Sequence, residues 1–167
     1  MSSVSVIDRY FDDLDTELAA TRRLLERFPA AHADWTPHEK SMPLARLAAH
    51  VAELPGFAEA ILTTDEFDFA TTPYQAHVAR TAEELVALHD RASASARATL
   101  ASMPEERLEE QWTLRAGDQV LLRGRRGKLL RQNLVSHIAH HRGQLTVYYR
   151  MLGVPLPGIY GPSADER

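Results

Sequence analysis

From Val6 to Phe28 the large apolar residues fall at Ile7, Tyr10, Phe11, Leu14, Leu18, Leu25 and Phe28. Steps of three and four residues place them on one face of a helix, and such a stripe has to be buried against something. The spacing predicts a first helix from about Val4 to Phe28, stopped by Pro29. The pattern then recurs. Ser41 and Pro43 read as an N-cap and an early helical proline, opening a second helix with the stripe Leu44, Leu47, Val51, Leu54, Ala58 and Ile61. Pro55 removes one backbone hydrogen bond from that helix and should bend it just past His50.

Residues 63–80 lack periodicity and read as a long connection. Thr81 and Glu84 form a capping-box pattern for a third helix that runs to about Ser102, with Pro104 ending it. Between Glu109 and Arg123 the period changes to two: Trp112 and Leu114 alternate with polar residues, Ala-Gly-Asp makes a turn, and Val120 and Leu122 alternate again. That is a small hairpin. A fourth helix is expected from about Arg125 to Leu152, with Gly153 as its C-terminal cap and Pro155 beyond. Four apolar stripes of this length are most simply buried against one another, which gives an all-α four-helix bundle with a small β-hairpin between the third and fourth helices. A chain of 167 residues buries roughly two-thirds of its unfolded surface, so one core suffices and residues 1–167 are expected to form a single domain.

The chain has no cysteine, which excludes disulfides, thiolate metal sites and a catalytic thiol of its own. Any metal must then be held by His, Asp or Glu. The start MSSVSVIDRYFDDLD has no basic stretch leading into an apolar core, and no run of about 18 apolar residues follows. The cytoplasm is therefore the expected location, with no membrane partner. A formal charge of −4 gives no general attraction to nucleic acid. The basic run RGRRGKLLR at 123–131 is a local exception, read first as a solvated helix start and second as a nucleic-acid contact.

In the fourth helix Leu130, Leu134, Ile138, Leu145, Tyr148 and Leu152 share one sector, and His141 points into its middle. His137 lies one turn earlier and only about 40° round, so both rings project toward the interior, whereas His140 sits about 100° away and outside the sector. Imidazoles in an apolar seam are costly unless their nitrogens are satisfied, and a divalent metal satisfies two at once. Surface decoration or hydrogen-bonded packing is the competing reading of the pair. His50, at the edge of the second helix's stripe, is the third candidate ligand, with a core histidine bonded to a backbone carbonyl as its alternative. Three imidazoles would leave coordination positions for water or substrate. Glu53, one turn after His50 and further toward the polar side, is a candidate acceptor behind it. Asn133 and Gln144 flank the His pair and are read mainly as helix-surface groups. His32, His38, His77 and His89 are read as surface or packing residues.

The run His137-Ile-Ala-His-His141-Arg-Gly-Gln144, the upstream hairpin and the distant His50 in a Leu-rich helix together resemble the DinB-like family of metal-dependent proteins. The ending from Leu152 to Pro162, LGVPLPGIYGP, is similar to members of that group as well. The resemblance covers nearly the whole chain. It implies a four-helix bundle of up-down-down-up topology and one divalent metal, zinc or nickel foremost, held by three histidines that map onto His50, His137 and His141. It also implies a homodimer. Relatives include thiol-dependent S-transferases and a thiol-dependent isomerase, so the expected chemistry is transfer of an external thiol (bacillithiol, mycothiol or glutathione) to a small electrophile, with no nucleic-acid chemistry. A metal-dependent hydrolase of a small substrate and a non-catalytic metal-binding stress protein are the alternatives. No catalytic residue beyond the metal ligands is assigned.

Overall fold

The computed structural model describes residues 6–72 and 74–166. The chain is mostly helical with a small three-stranded sheet. The first stripe forms two helices rather than one, α1 (Val6–Tyr10) and α2 (Leu14–Leu25), and the expected start at Val4 lies outside the described residues. The break has a tertiary cause. Arg131, far along the chain, donates to the Tyr10 carbonyl at 3.0 Å and to the Asp13 carboxylate at 2.7 Å, so α1 ends where a continuous helix would have hidden that carbonyl. Tyr10 is consequently exposed instead of continuing the buried stripe.

The second stripe gives α3 (Leu44–Glu53) and α4 (Phe57–Thr63), joined by one 3-10 turn at Leu54–Gly56 where Pro55 interrupts the ladder. Ser41 is not the N-cap of α3. Pro43 occupies that position, and the first free N–H groups are met by loop carbonyls, Leu44 to Trp35 and Ala45 to Ala33, both at 2.8 Å. The connection at 63–80 contains a strand that its composition did not announce, β1 (Glu66–Asp68). It pairs in parallel with β2 (Gln111–Ala116), which pairs antiparallel with β3 (Gln119–Arg125) around a turn with Gly117 at φ +58°.

Between the strands of the sheet runs α5 (Ala82–Ser102), opened by a complete capping box: the Thr81 hydroxyl accepts from the Glu84 N–H, and the Glu84 carboxylate accepts from the Thr81 N–H, each at 3.2 Å. The last helical column comprises α6 (Arg126–Arg131), a π-helical segment at Gln132–His137, and α7 (Ile138–Met151). It closes in a Schellman motif, with Gly153 at φ +72° and the Val154 N–H returning to the Tyr149 carbonyl at 3.0 Å.

Helix α3 packs on α5 and α7, and α2 contacts α3, α5 and α7. Their apolar side chains form two clusters, one including Phe11, Leu14, Leu62, Trp112 and Leu134, the other Leu24, Leu44, Leu85, Leu145 and Tyr149. Glu17, Thr21, His89, Ser93 and Arg142 are also buried, and along their helices they fall where one cluster gives way to the other. The bundle thus has a polar waist between two oily ends. Among the described residues no helix is long and apolar enough to cross a membrane.

The basic run at 123–131 is a helix start with Arg123, Arg125, Lys128 and Arg131 exposed, and Arg126 alone departs from the solvated reading. Arg126 is 1% exposed and donates to the carbonyls of Ile61 and Thr64, to Asp65 at 3.0 Å and to Glu110 at 3.1 Å. Arg125 pairs with Glu109 and Arg131 with Asp13, both at 2.7 Å. The charge that the sequence displays as a patch is largely tied to acids of this chain.

Candidate metal centre

Helix α3, the end of the π-helical segment and α7 bring His50, His137 and His141 together at the waist. One ring nitrogen of each lies within 4.8 Å of the others, and among the described residues this is the one cluster of His, Asp and Glu so arranged. The Nε2 atoms of His137 and His141 are 2.9 Å apart, and the His50 ring centroid lies 4.6 Å from that of His141 and 5.4 Å from that of His137. Metal–nitrogen bonds of about 2.0–2.1 Å in a tetrahedron separate ligand atoms by about 3.3 Å, which lies between the 2.9 Å Nε2–Nε2 spacing and the 4.8 Å within which all three ligand atoms fall. All three rings are half-buried.

Two of the outer ring nitrogens are held. The His50 Nδ1–H donates to Glu53 Oε1 at 3.2 Å, and the His141 Nδ1–H donates to Gln144 Oε1 at 2.7 Å. Those acceptors set the tautomer, leaving the Nε2 lone pairs of both rings toward the cluster centre. Burial, reinforced by the neighbouring His141 and His50, pulls the His137 pKa down to about 4, and burial lowers that of His141. Both rings are therefore neutral near pH 7, the state a metal ligand requires.

Glu53 is far more buried than its wheel position suggested: its side chain is 8% exposed. Besides His50 it accepts from Arg46 at 3.0 Å, from the Tyr74 hydroxyl, and from His77 Nδ1 at 2.7 Å. Burial pushes its carboxyl up, but hydrogen bonds from His50, Tyr74 and His77 and the Arg46 charge prevail and hold it at about 2. Burial and the adjacent carboxylate raise Tyr74 to about 12. Tyr74 and His77 both come from the 63–80 connection, so sequence spacing gave no sign that either meets α3. His77, read as a surface residue, is exposed yet bonded to Glu53. Gln144, read as helix-surface decoration, is the partner of His141.

The other histidines stay apart from the cluster centre. His140 is exposed beside His141, His32 and His38 are exposed in the loop before α3, and His89 is buried with Nε2 3.0 Å from the Leu18 carbonyl. Asn133, in the π-helical segment, donates to the Leu54 carbonyl at 3.1 Å. That bond ties the irregular turn of the last column to the proline break between α3 and α4, and His50 and His137 each lie one turn from its ends. A cavity of about 280 Å³ opens beside it, with His50 and His137 in its wall next to Leu54, Phe57, Ile61, Trp112 and Leu129.

Comparison with known proteins agrees with this architecture. A family model described as the DinB family matches residues 3–167. The Bacillus subtilis (strain 168) protein YrdA is 27% identical over 162 residues, covering 96% of this chain and 91% of that protein. The crystal structure of a DinB-like protein from Bacillus cereus ATCC 10987 superposes with a TM-score of 0.69 at 19% identity, over 92% of this chain and 97% of that one. A DinB-like protein from Bacillus subtilis, YjoA, gives a TM-score of 0.62 at 21% identity, over 97% and 98%. At these identities the two structures speak for the fold.

Proposed function

The chain belongs to the DinB family, and on that premise we propose that His50, His137 and His141 hold one divalent ion, zinc or nickel, in a thiol-dependent transferase acting on a small electrophile. The observation that carries the reading is the direction in which the cluster is open. Two of its three rings form the wall of a cavity, so a coordination position left by three imidazoles would face a place where a small molecule can sit. When bound, the ion would supply Lewis acidity, favouring the thiolate form of a thiol such as bacillithiol, mycothiol or glutathione.

The chain's own residues do the rest. Glu53 and Gln144 fix the rings of His50 and His141, and neutral imidazoles leave the full charge of the ion available to an anionic ligand. The apolar wall excludes water from the bound electrophile. With no cysteine in the chain, the thiol has to come from outside. The same reading carries a single domain over 1–167, up-down-down-up helix order, a homodimer and a cytoplasmic setting. The exposed Val147 and Met151, one turn apart on α7, support the dimer, and sedimentation as a monomer at micromolar concentration would remove it.

Cobalt substitution tests the chemistry. A low-molecular-weight thiol should produce a sulfur-to-metal charge-transfer band, and thiol and electrophile should then be consumed together only when metal is present. Turnover of an ester or amide without thiol would move the assignment to a hydrolase. No spectral response and no turnover would leave a non-catalytic metal protein.

A further inference from the structure

The cavity beside the histidines has two unlike ends. His50, Leu54, Phe57 and Ile61, at steps of four, three and four along α3, the 3-10 turn and α4, form one wall. His137, Asn133 and Leu129, at steps of four back along the last column, form the facing wall. The two rows run antiparallel: the Asn133 amide meets the Leu54 carbonyl at 3.1 Å, and Arg126 donates to the Ile61 carbonyl. Two of the candidate ligands are therefore level with each other at one end, whereas Ile61 and Leu129 lie together at the other. The rows span 11 and 8 positions, roughly 12–16 Å at about 1.5 Å per helical residue.

Away from the histidines nothing offers a ligand a charge. Among the described residues no Lys, Arg, Asp or Glu lines the cavity. The polar groups that do are mostly spent within the protein: the Tyr74 hydroxyl on Glu53, the Trp112 indole N–H on the Thr64 hydroxyl at 3.2 Å, and the Asn133 amide N–H on Leu54. An ion held by the histidines would thus be the sole charge of the cavity, set at one end of it. One ion-binding group gains a partner there, and a second charge further down would lose its hydration for nothing.

Volume and length agree on how much of a molecule fits. An apolar cavity of about 150 Å³ takes up benzene, so one of about 280 Å³ holds roughly ten or eleven non-hydrogen atoms. An extended chain advances about 1.2 Å per bond, the backbone rise of about 3.3–3.6 Å shared among three bonds, so a length of roughly 12 Å takes about ten.

We propose that this cavity binds a substrate with one ion-binding head and an uncharged apolar body. The head sits on the metal held by His50, His137 and His141, and a body of about ten atoms, aliphatic or aromatic, runs from the histidines toward Ile61 and Leu129. The inference rests on the metal reading for the head and on the shape of the wall for the body. It assigns the cavity to the electrophile, because the thiols named above are polar along their length and have to keep their bodies outside.

The test reads binding rather than turnover, by calorimetry of the zinc-loaded chain against straight-chain hydroxamates of two to twelve carbons, whose head chelates the ion. Affinity should rise about two- to fourfold with each methylene up to about ten carbons and level off beyond. The monohydroxamate of octanedioic acid should bind at least about tenfold more weakly than octanohydroxamate, since whichever end takes the ion leaves the other among apolar side chains. Leu122, partly buried on β3 in the cavity wall, supplies the variant: Leu122→Trp should keep its ion and lose most of the gain with chain length. A series flat in chain length, equal binding of the acid-tailed probe, or an undiminished gain in folded Leu122→Trp overturns the proposal, and the wild-type series decides it even if the variant does not fold. Elemental analysis of the same samples separates the two readings. A chain that takes up no ion fails the metal reading and this one with it, whereas a loaded chain with a flat series fails this one alone.

Discussion

His141 and Arg142 are neighbours on α7, and each anchors a polar cluster at the same level of the bundle, yet the two clusters are built in opposite ways. Arg142 is buried, and both of its terminal nitrogens are fully engaged: with the Glu17 carboxylate at 2.6 Å, the Glu17 carbonyl at 3.0 Å, the Thr21 hydroxyl at 3.2 Å and the Tyr160 hydroxyl. Tyr160 in turn donates to Glu17 at 2.9 Å, sealing the pair under the C-terminal segment. Of the three histidines, His50 and His141 have their outer nitrogens held, and the rings meet one another beside a cavity. A step of about 100° along one helix thus separates a closed polar cluster from one with donor atoms left over for a ligand. Saturation, more than burial or charge, distinguishes the polar group that serves the fold from the polar group that serves binding.

The comparison breaks first under Arg142→Met. Removing one member of a buried, hydrogen-bonded ion pair leaves the other charge stranded, so the variant should lose about 3–5 kcal/mol in urea unfolding. His141→Ala, in metal-free protein, should cost far less, since its ring is half-exposed and its removal strands no charge. If the two variants are equally destabilised without metal, the distinction between closed and open clusters is wrong.

Glu53→Ala sharpens the open side. Losing the acceptor behind His50 should weaken metal affinity by about 10–100-fold in a competition titration, with little change in the number of ions bound at saturation. An unchanged affinity would show that Glu53 serves only to dock Tyr74 and His77. The smallest effect is on pH dependence. His137 is depressed from 6.5 to about 4 in the fold, so the metal-free chain carries stability that is complete above pH 6.5 and is lost as pH falls through about 4. Buried His89 is lowered as well and contributes in the acid direction too, so the readout is the difference between wild type and His137→Ala. The variant's stability should fall less steeply between pH 6.5 and 4, and parallel curves would contradict the assignment.

Much of this was legible in the residues because it depends on local geometry. The helical phase that turned His137 and His141 inward among Leu134, Ile138 and Leu145, the capping box at Thr81, the interruption at Pro55 and the cap at Gly153 are each decided within a few positions of the residue concerned. What escaped depends on distant partners. The α1–α2 break answers to Arg131, and β1 exists only because β2 lies beside it. The π-helical segment contains Asn133, whose bond reaches the proline break, two irregularities whose partners lie 79 positions apart. Glu53, Tyr74 and His77 converge through a long connection with no periodicity to place it. The ligand candidates could therefore be named from sequence, whereas the groups that hold and enclose them could not.

The direct measurement of the central claim is metal content, by elemental analysis and competition titration, in wild type and in His50→Ala, His137→Ala, His141→Ala and His140→Ala. Wild type should carry about one divalent ion per chain. Each of the first three variants should lose it, and His140→Ala, exposed beside the cluster, should keep it. Undiminished affinity in any one of the three, or equal loss in His140→Ala, would contradict a metal centre built from these histidines.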